Sequence, residues 1–422
     1  MRRPGDEGRG VSPAVVMGPP LVVGLVLAVI AGRRGWAPPL WVALAAGAVL
    51  RLAVMLTAAN DTAVPYDFGH DFVDAGNAVL NGQNPTMHLR EGGWHFLPFL
   101  AYVLAGQLQL GEILGLSWGI AGRIVPVVAD LVLIPLIAKL TGAERGNLRA
   151  FQYALIPLGV MVSALHGQFP PITLLFGVAA LVCARSQRAH AAGLLIGLSI
   201  ACTHWSVLIV PGVVLAVAGA RGRLTVLGWT AGVPAAVLLS GSVFLDTSLS
   251  QLPELARRIM STRPVVGDWG WTALATGGVQ TDSPILGRIG MVVLVLGLAA
   301  AAWWWRRADP VDLTLVLLLV FLIVTHRLGA QYLLWPVPFL LARPTRGAWP
   351  AITLASLWAA FGYLRLYEVI GMGYWAAHTG WAYSSFIVIA FLIRALPWDR
   401  RAATGQVTTK ATTSKDAVPA VE

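Results

Sequence analysis

The sequence predicts an all-α protein that crosses a lipid bilayer many times. Three observations carry that reading. Of its 422 residues, 57% are hydrophobic and only 12% are charged, about half the charge of an ordinary soluble domain. Apolar runs of about 20 residues recur from end to end, the length that spans roughly 30 Å of hydrocarbon. The polar–apolar alternation of a membrane β-barrel is missing from those runs. The net charge of +10 does not call for nucleic acid, because the basic residues stand in short groups between apolar runs, as the positive-inside bias requires. Examples are Arg33–Arg34, Arg185/Arg188, Arg221/Arg223, Arg306–Arg307, Arg343/Arg346 and Arg400–Arg401. Cys183 and Cys202 both fall inside apolar runs and match no metal-ligand spacing.

In chain order, the expected spans are 13–31, 38–56, 120–140, 150–164, 170–184, 189–203, 204–219, 224–245, 285–304, 310–325, 329–342, 348–367 and 376–396, a bundle of about 12–13 helices. The first has the basic start of a signal peptide, but no small-residue cleavage site precedes Arg33–Arg34. Segment 1–37 is therefore expected to add one helix to a transmembrane catalytic domain at 38–396, and the Thr-, Ala- and Lys-rich stretch 397–422 to form a disordered cytoplasmic tail. With that tail inside, the Arg groups fall inside too. Two loops, 57–119 and about 246–284, are then forced outside, together with the links near Leu165–Pro171 and Thr325–Gly329. Arg2 and Arg3 disagree with this layout. The first loop turns apolar again between Trp94 and Gly119. Another full crossing there would expose the basic 139–149 link, so interfacial helices lying on the outer surface are expected.

The polar side chains with chemical capacity gather in the outer segments. "PYDFGHDFVDAGNAVLNGQNP" carries Asp67, His70, Asp71 and Asp74. Such carboxylates serve as a general base, as hard oxygen ligands for a divalent metal, or simply as helix-capping acids in a solvated loop; Asp74, on a helix expected over Phe72–Leu80, suits the last role. In "SALHGQFPP", His166 and Gln168 are either a wetted helix end or donors aimed at the acidic loop. In "RPVVGDWGWTAL", Arg263 offers a planar fork for phosphate, while Trp269 and Trp271 either stack on a sugar or anchor at the interface. "THRLGAQYLLWP" supplies His326, Arg327, Gln331 and Tyr332, and "WHFLPF" supplies His95. Asp130 lies inside a span, where a charge costs about 2.5–3.5 kcal/mol. It must face other helices, with Arg123 two turns earlier as its expected partner. Arg51 is expected to snorkel outward.

In the order of these motifs the chain resembles the GT-C superfamily of integral membrane glycosyltransferases, which includes the polyprenyl-phosphate-mannose-dependent mannosyltransferases of actinobacteria. The resemblance covers roughly residues 38–342 and rests on four stretches: "DFVDAGNAVLNGQNP", "WHFLPFLAYVLA", "RIVPVVADLVL", and "SALHGQFPPITLLFGVAAL" followed by "AGLLIGLSIACTHWSVLIVP". "HGQF" is the most specific of them. The resemblance implies a GT-C-like bundle, a polyprenyl-phosphate-sugar donor carrying mannose or another hexose or pentose, and a lipid or glycan acceptor. It also implies a carboxylate base in the first outer loop, at Asp71 by first choice and Asp67 by second, and an active site on the extracytoplasmic face of a bacterial plasma membrane. His70, His95, His166, Gln168, Arg263, Trp269, Trp271, His326, Arg327, Gln331 and Tyr332 would hold the donor and acceptor, and Arg263, His326 or Arg327 would neutralise the departing phosphate. One departure stands out: Thr203–His204 replaces the Lys-Pro of many relatives. No cofactor is specified. A divalent metal is left open, because Asp67-x-x-x-Asp71 is not a distinctive ligand spacing. The competing readings are a secondary transporter, which would centre on Asp130, and a flippase-like or scaffold protein.

Overall fold

Inside hydrocarbon every backbone amide must find its partner within its own segment, so the apolar runs have helix as their stable option. The computed structural model describes residues 13–59, 65–89, 94–260, 265–366 and 372–400. Six of its helices are long and apolar enough to cross a membrane: Val15–Arg34, Leu40–Ala59, Trp118–Thr141, Ala220–Phe244, Pro284–Trp304 and Ala377–Arg400. Taken together, the pair Gly146–Leu155 and Pro157–His166, bent by 54°, is apolar enough to make a seventh if it forms one broken span. The bend falls at Ile156–Pro157, where proline lacks an N–H and forces the preceding residue out of helical geometry; Ile156 sits at φ −67°, ψ 124°. The chain is an all-α, multi-pass membrane protein.

Five of the expected spans are shorter. Pro170–Arg185, Ala189–Cys202, His204–Ala216, Pro310–Val324 and Ala330–Ala342 have 10–17 residues each. At 1.5 Å per residue they reach about 15–26 Å, less than a hydrocarbon core. By length and composition alone, six helices, or seven with the bent pair counted as one span, are long enough to cross, and these five shorter elements pack among them.

The two ends of the bundle differ sharply. At one end Arg343 makes a two-point ion pair with Asp312, its Nε 2.8 Å and its Nη2 2.7 Å from the carboxylate oxygens, and Arg400 lies 3.5 Å from the same residue. Nearby, Arg185 donates to the Leu140 carbonyl and Gln187 to that of Ala216. The helix Pro310–Val324 begins beside this basic end and, 15 residues later, delivers Thr325–Arg327 about 22 Å away. The first loop folds against that far end. Its helix Pro98–Leu114 packs on Phe72–Leu80 and Trp118–Thr141, and Phe68, Phe72, Trp94, Leu100, Leu104 and Phe169 form a second apolar core there.

Two expectations about buried charge are overturned. Arg51 does not snorkel: it is fully buried, with Nε 2.8 Å from Asp130 Oδ2 and Nη1 2.8 Å from the Ala154 carbonyl. Arg123 is not the partner of Asp130. It donates to the carbonyl of Leu165 at 2.8 Å and lies 4.2 Å over the Phe68 ring. Tyr153 and Ser163 complete the Asp130 shell, donating to Oδ1 and Oδ2. Removing one member of a buried pair strands the other charge. Asp130→Asn is expected to cost about 3–5 kcal/mol, and the double change Arg51→Met/Asp130→Leu less than either single change; unfolding midpoints measured in lipid nanodiscs check both.

Candidate active-site cleft

At the end away from the arginine pairs, three elements distant in sequence meet through hydrogen bonds. His166 Nε2 lies 2.8 Å from Asp67 Oδ1, and His166 Nδ1 lies 2.9 Å from Tyr363 Oη. Gln168 donates its carboxamide N–H to Asp67 Oδ2, and the Phe68 amide donates to Oδ1 at 2.9 Å. A carboxylate only accepts, so the His166 nitrogen facing it carries a proton. Of roughly four acceptor positions on a carboxylate, the described residues fill three, leaving one on Oδ2 for a ligand. The Asp67 side chain keeps 33% of its surface exposed.

Local sequence explains the convergence. Asp67–Asp71, Met161–His166 and Phe361–Arg365 are the three π-helical turns among the described residues, and each carries one member of the Asp67–His166–Tyr363 chain. A π turn fits one extra residue into the helix and re-aims its side chains, which is why such turns recur at functional sites. Gly167 follows His166 at φ +74°, where a Cβ would stand 2.4 Å from the Phe68 ring. Only glycine permits that reversal, which brings His166 and Gln168 to the same carboxylate. Phe68 is itself fixed: its carbonyl accepts from Trp118 Nε1 at 2.8 Å, and its ring lies between Trp118 and Arg123.

The chain opens on a cleft with two lobes that share Asp67, Asp268, Gln280, Leu328, Gly329 and Gln331. The first lobe has an empty volume of about 1110 Å³ and is lined also by Asp71, Trp94, His95, Thr203, Arg327, Tyr332 and Trp335. The second, about 1290 Å³, is lined also by Tyr66, His166, Tyr363, His378 and Trp381. The first lobe holds buried polar groups without partners: Trp94 Nε1, Trp335 Nε1 and His95 Nδ1 have no hydrogen-bond partner among the described residues, and Arg327 lines the same lobe. Unpaired buried donors carry a cost of about 1–3 kcal/mol each, which an acceptor-rich ligand would remove.

Electrostatics follow from this layout. Burial works against the charge of Asp67, but His166, the Phe68 amide and Gln168 outweigh it and hold the carboxyl below its usual value. Asp67 is therefore an anion at neutral pH. Burial, aided by the positive charge of Arg327 and by His204, pushes His95 down to about 4.

The sequence candidates sort clearly. Asp67, Asp71, His95, Gln168, Arg327, Gln331 and Tyr332 line the first lobe, and Asp67, His166 and Gln331 the second. His70 leans on Tyr66, with ring centroids 4.7 Å apart, and lines neither lobe. Trp269 is fully buried, its Nε1 spent on the Leu322 carbonyl at 2.7 Å, so it cannot stack on a sugar. Trp271 donates to Val324 and, like the buried His326, lines neither lobe. Arg263 lies outside the described residues. Where relatives of the resembled family carry Lys-Pro, Thr203 lines the cleft and His204 does not. Sequence reasoning missed Tyr363, Trp335, Asp268, Gln280 and His378. Only Asp268 had a signal, as the acid inside "VVGDWGW". Among the described residues no group of three or more His, Cys, Asp or Glu side chains is placed to hold a metal ion.

No protein-family model matches the chain, and no curated protein is significantly similar to it.

Because His95 is neutral when folded and charged when unfolded between pH about 4 and 6.5, the unfolded state binds the extra proton in that window. Its contribution must make stability rise with pH from about 4 to 6.5. Imidazole NMR titration of His95 should give a midpoint near 4, moving upward when an anion occupies the first lobe; a midpoint near 6.5 in the empty protein contradicts the burial argument.

Proposed function

We propose that the protein is a membrane glycosyltransferase that moves a sugar from a polyprenyl-phosphate donor to a lipid or glycan acceptor at the extracytoplasmic face of a bacterial plasma membrane. One observation carries this reading: two lobes of unlike chemistry meet at an ionised, ligand-accessible carboxylate. Transfer between two substrates needs a compartment for each and a basic group where they touch. The GT-C resemblance of the first loop and of "HGQF" supports the same assignment.

The first lobe suits the donor. Arg327, the indole N–H groups of Trp94 and Trp335, and the neutral His95 offer hydrogen bonds to a phosphate, and Trp205, Tyr332 and Phe169 give it apolar walls. The acceptor hydroxyl then lies at the seam. An aspartate takes its proton as the oxygen attacks the anomeric carbon, the bond from that carbon to the phosphate oxygen breaks, and Arg327 meets the charge left on the lipid phosphate. A single displacement of this kind inverts the anomeric centre. The seam position favours Asp67 over Asp71 as the base, reversing the order of preference taken from the sequence. Asp71 lines the donor lobe alone and is better placed to hold the hydroxyls of the transferred sugar. No nucleotide site is required, because the leaving group is itself a lipid phosphate. A transporter built around Asp130 is disfavoured, since that carboxylate is ion-paired to Arg51, fully buried, and lines neither lobe.

Asp67→Asn is expected to lower sugar transfer by about 10²–10⁴-fold while leaving the amount of protein in the membrane unchanged. Transfer from a panel of radiolabelled polyprenyl-phosphate hexoses and pentoses measures it, and full activity in both Asp67→Asn and Asp71→Asn refutes the assignment. Arg327→Gln should lower kcat/KM for the donor by about 10²–10³-fold, read as initial rates with a short-chain synthetic donor.

A further inference from the structure

We propose that the second lobe receives the acceptor as a neutral carbohydrate, the terminal sugar of a glycan, read at the seam by Asp268 and Gln280. The proposal rests on the transferase reading and narrows its acceptor from lipid or glycan to glycan.

The seam is built by a hairpin. Val265 pairs with Asp282 and Val266 with Thr281, so the next residues inward bring Asp268 and Gln280 together. Gly267 between them has φ +123°, and a Cβ there would stand 2.2 Å from the Val279 carbonyl oxygen; glycine alone lets the hairpin close. Gln280 Nε2 donates to Asp268 Oδ2 at 2.6 Å. Behind them, His378 places Nε2 3.2 Å from Asp268 Oδ1 and Nδ1 3.2 Å from the Gly278 carbonyl. One buried ring therefore ties the carboxylate and the hairpin to the Met372–Arg394 helix, holding Asp268 as a positioned acceptor. Asp268 and Asp67 reach the seam from different parts of the chain and together present two carboxylates to whatever lies between them.

The lining of the second lobe decides the ligand class. Among the described residues no arginine or lysine lines it. A phosphate or carboxylate entering it would meet Asp67 and Asp268, and the two histidines of the lobe, His166 and His378, are already engaged by those carboxylates. Carboxylates and the carboxamides of Gln280 and Gln331 suit hydroxyl groups, which donate and accept in turn. The rings of Tyr66, Tyr363 and Trp381 give an apolar surface for the C–H face of a pyranose. The first lobe shares Asp67 and Asp268 and adds Asp71, but among the described residues it alone is lined by an arginine, Arg327, so a phosphate meets a guanidinium there and none in the second lobe.

The test uses the full chain in nanodiscs. Tryptophan emission and saturation-transfer NMR report binding of three probes: mannobiose, mannobiose 6-phosphate and the disaccharide of glucosamine. Mannobiose should bind about tenfold or more tightly than its phosphate. Asp268→Asn and Gln280→Ala should each weaken it by about tenfold, the loss of one hydrogen bond, with an unchanged thermal unfolding midpoint as the check that the cleft is folded. Should Asp268→Asn lower that midpoint, Gln280→Ala decides, because Gln280 is an exposed hairpin side chain. The proposal falls if mannobiose does not bind, if the phosphate or the amine binds more tightly, or if the deciding variant binds like the parent chain. Asp268-dependent sugar binding without any transfer keeps the acceptor site and removes the transferase; transfer to a lipid acceptor without sugar binding does the reverse.

Discussion

The cleft depends on a charge that never touches it. Asp130, inside the Trp118–Thr141 helix, is paired with Arg51 of Leu40–Ala59 and accepts hydrogen bonds from Tyr153 and Ser163. Arg51 in turn reaches the Ala154 carbonyl at the bend before Pro157. Two long helices and the broken one are thus clamped at one point, and the clamp acts on both sides of the bend. Ser163 lies in the same π-helical turn as His166, three residues earlier. In hydrocarbon an unpaired charge is expensive, so this register is far cheaper than any slipped alternative. A buried pair of this kind adds little net stability over an apolar replacement; its effect is to specify one arrangement, and the arrangement it specifies ends in His166.

From there the constraint travels by geometry. Arg123 ties the Leu165 carbonyl to the Phe68 ring, so the turn carrying His166 and the turn carrying Asp67 share one clamp. Three π turns and the left-handed Gly167 lie at the contact between Asp67, His166 and Tyr363. Irregular backbone at this depth is tolerated only where it is packed by protein or lines a cavity, and here it does both.

These particulars explain what the sequence revealed and what it hid. Helix positions were legible, because apolar periodicity and length are imposed by the solvent and written into every residue. Helix length was less legible, since a 15-residue apolar run reads in sequence much like part of a longer one. Asp67, His166 and Gln168 were legible as polar residues in a setting that penalises them. Trp269 and Trp271 misled because tryptophan suits a core as readily as a sugar face, and only the Leu322 and Val324 carbonyls show where their N–H groups went. Arg51 was read from its place in its own span and Arg123 from nearness along the chain, whereas a buried charge selects its partner across helices. Tyr363 and His378 sit in apolar C-terminal helices more than 190 residues beyond the first loop, and nothing local marks them.

On the proposed transferase reading, the choice of charged groups around the cleft answers one requirement: an anionic donor and a carboxylate base must come close without repelling each other. A permanent cluster of cations would satisfy the donor but would pair with Asp67 and block it. The protein instead gives Asp67 neutral donors and a histidine, which keep it ionised yet leave an acceptor position open, and confines the one lining arginine, among the described residues, to the first lobe. His95, kept neutral by burial beside Arg327, adds polarity there without adding charge. On the proposed reading, an anion entering the first lobe beside His95 favours its charged form against the burial that holds it neutral, so proton uptake by His95 and occupation of that lobe reinforce one another.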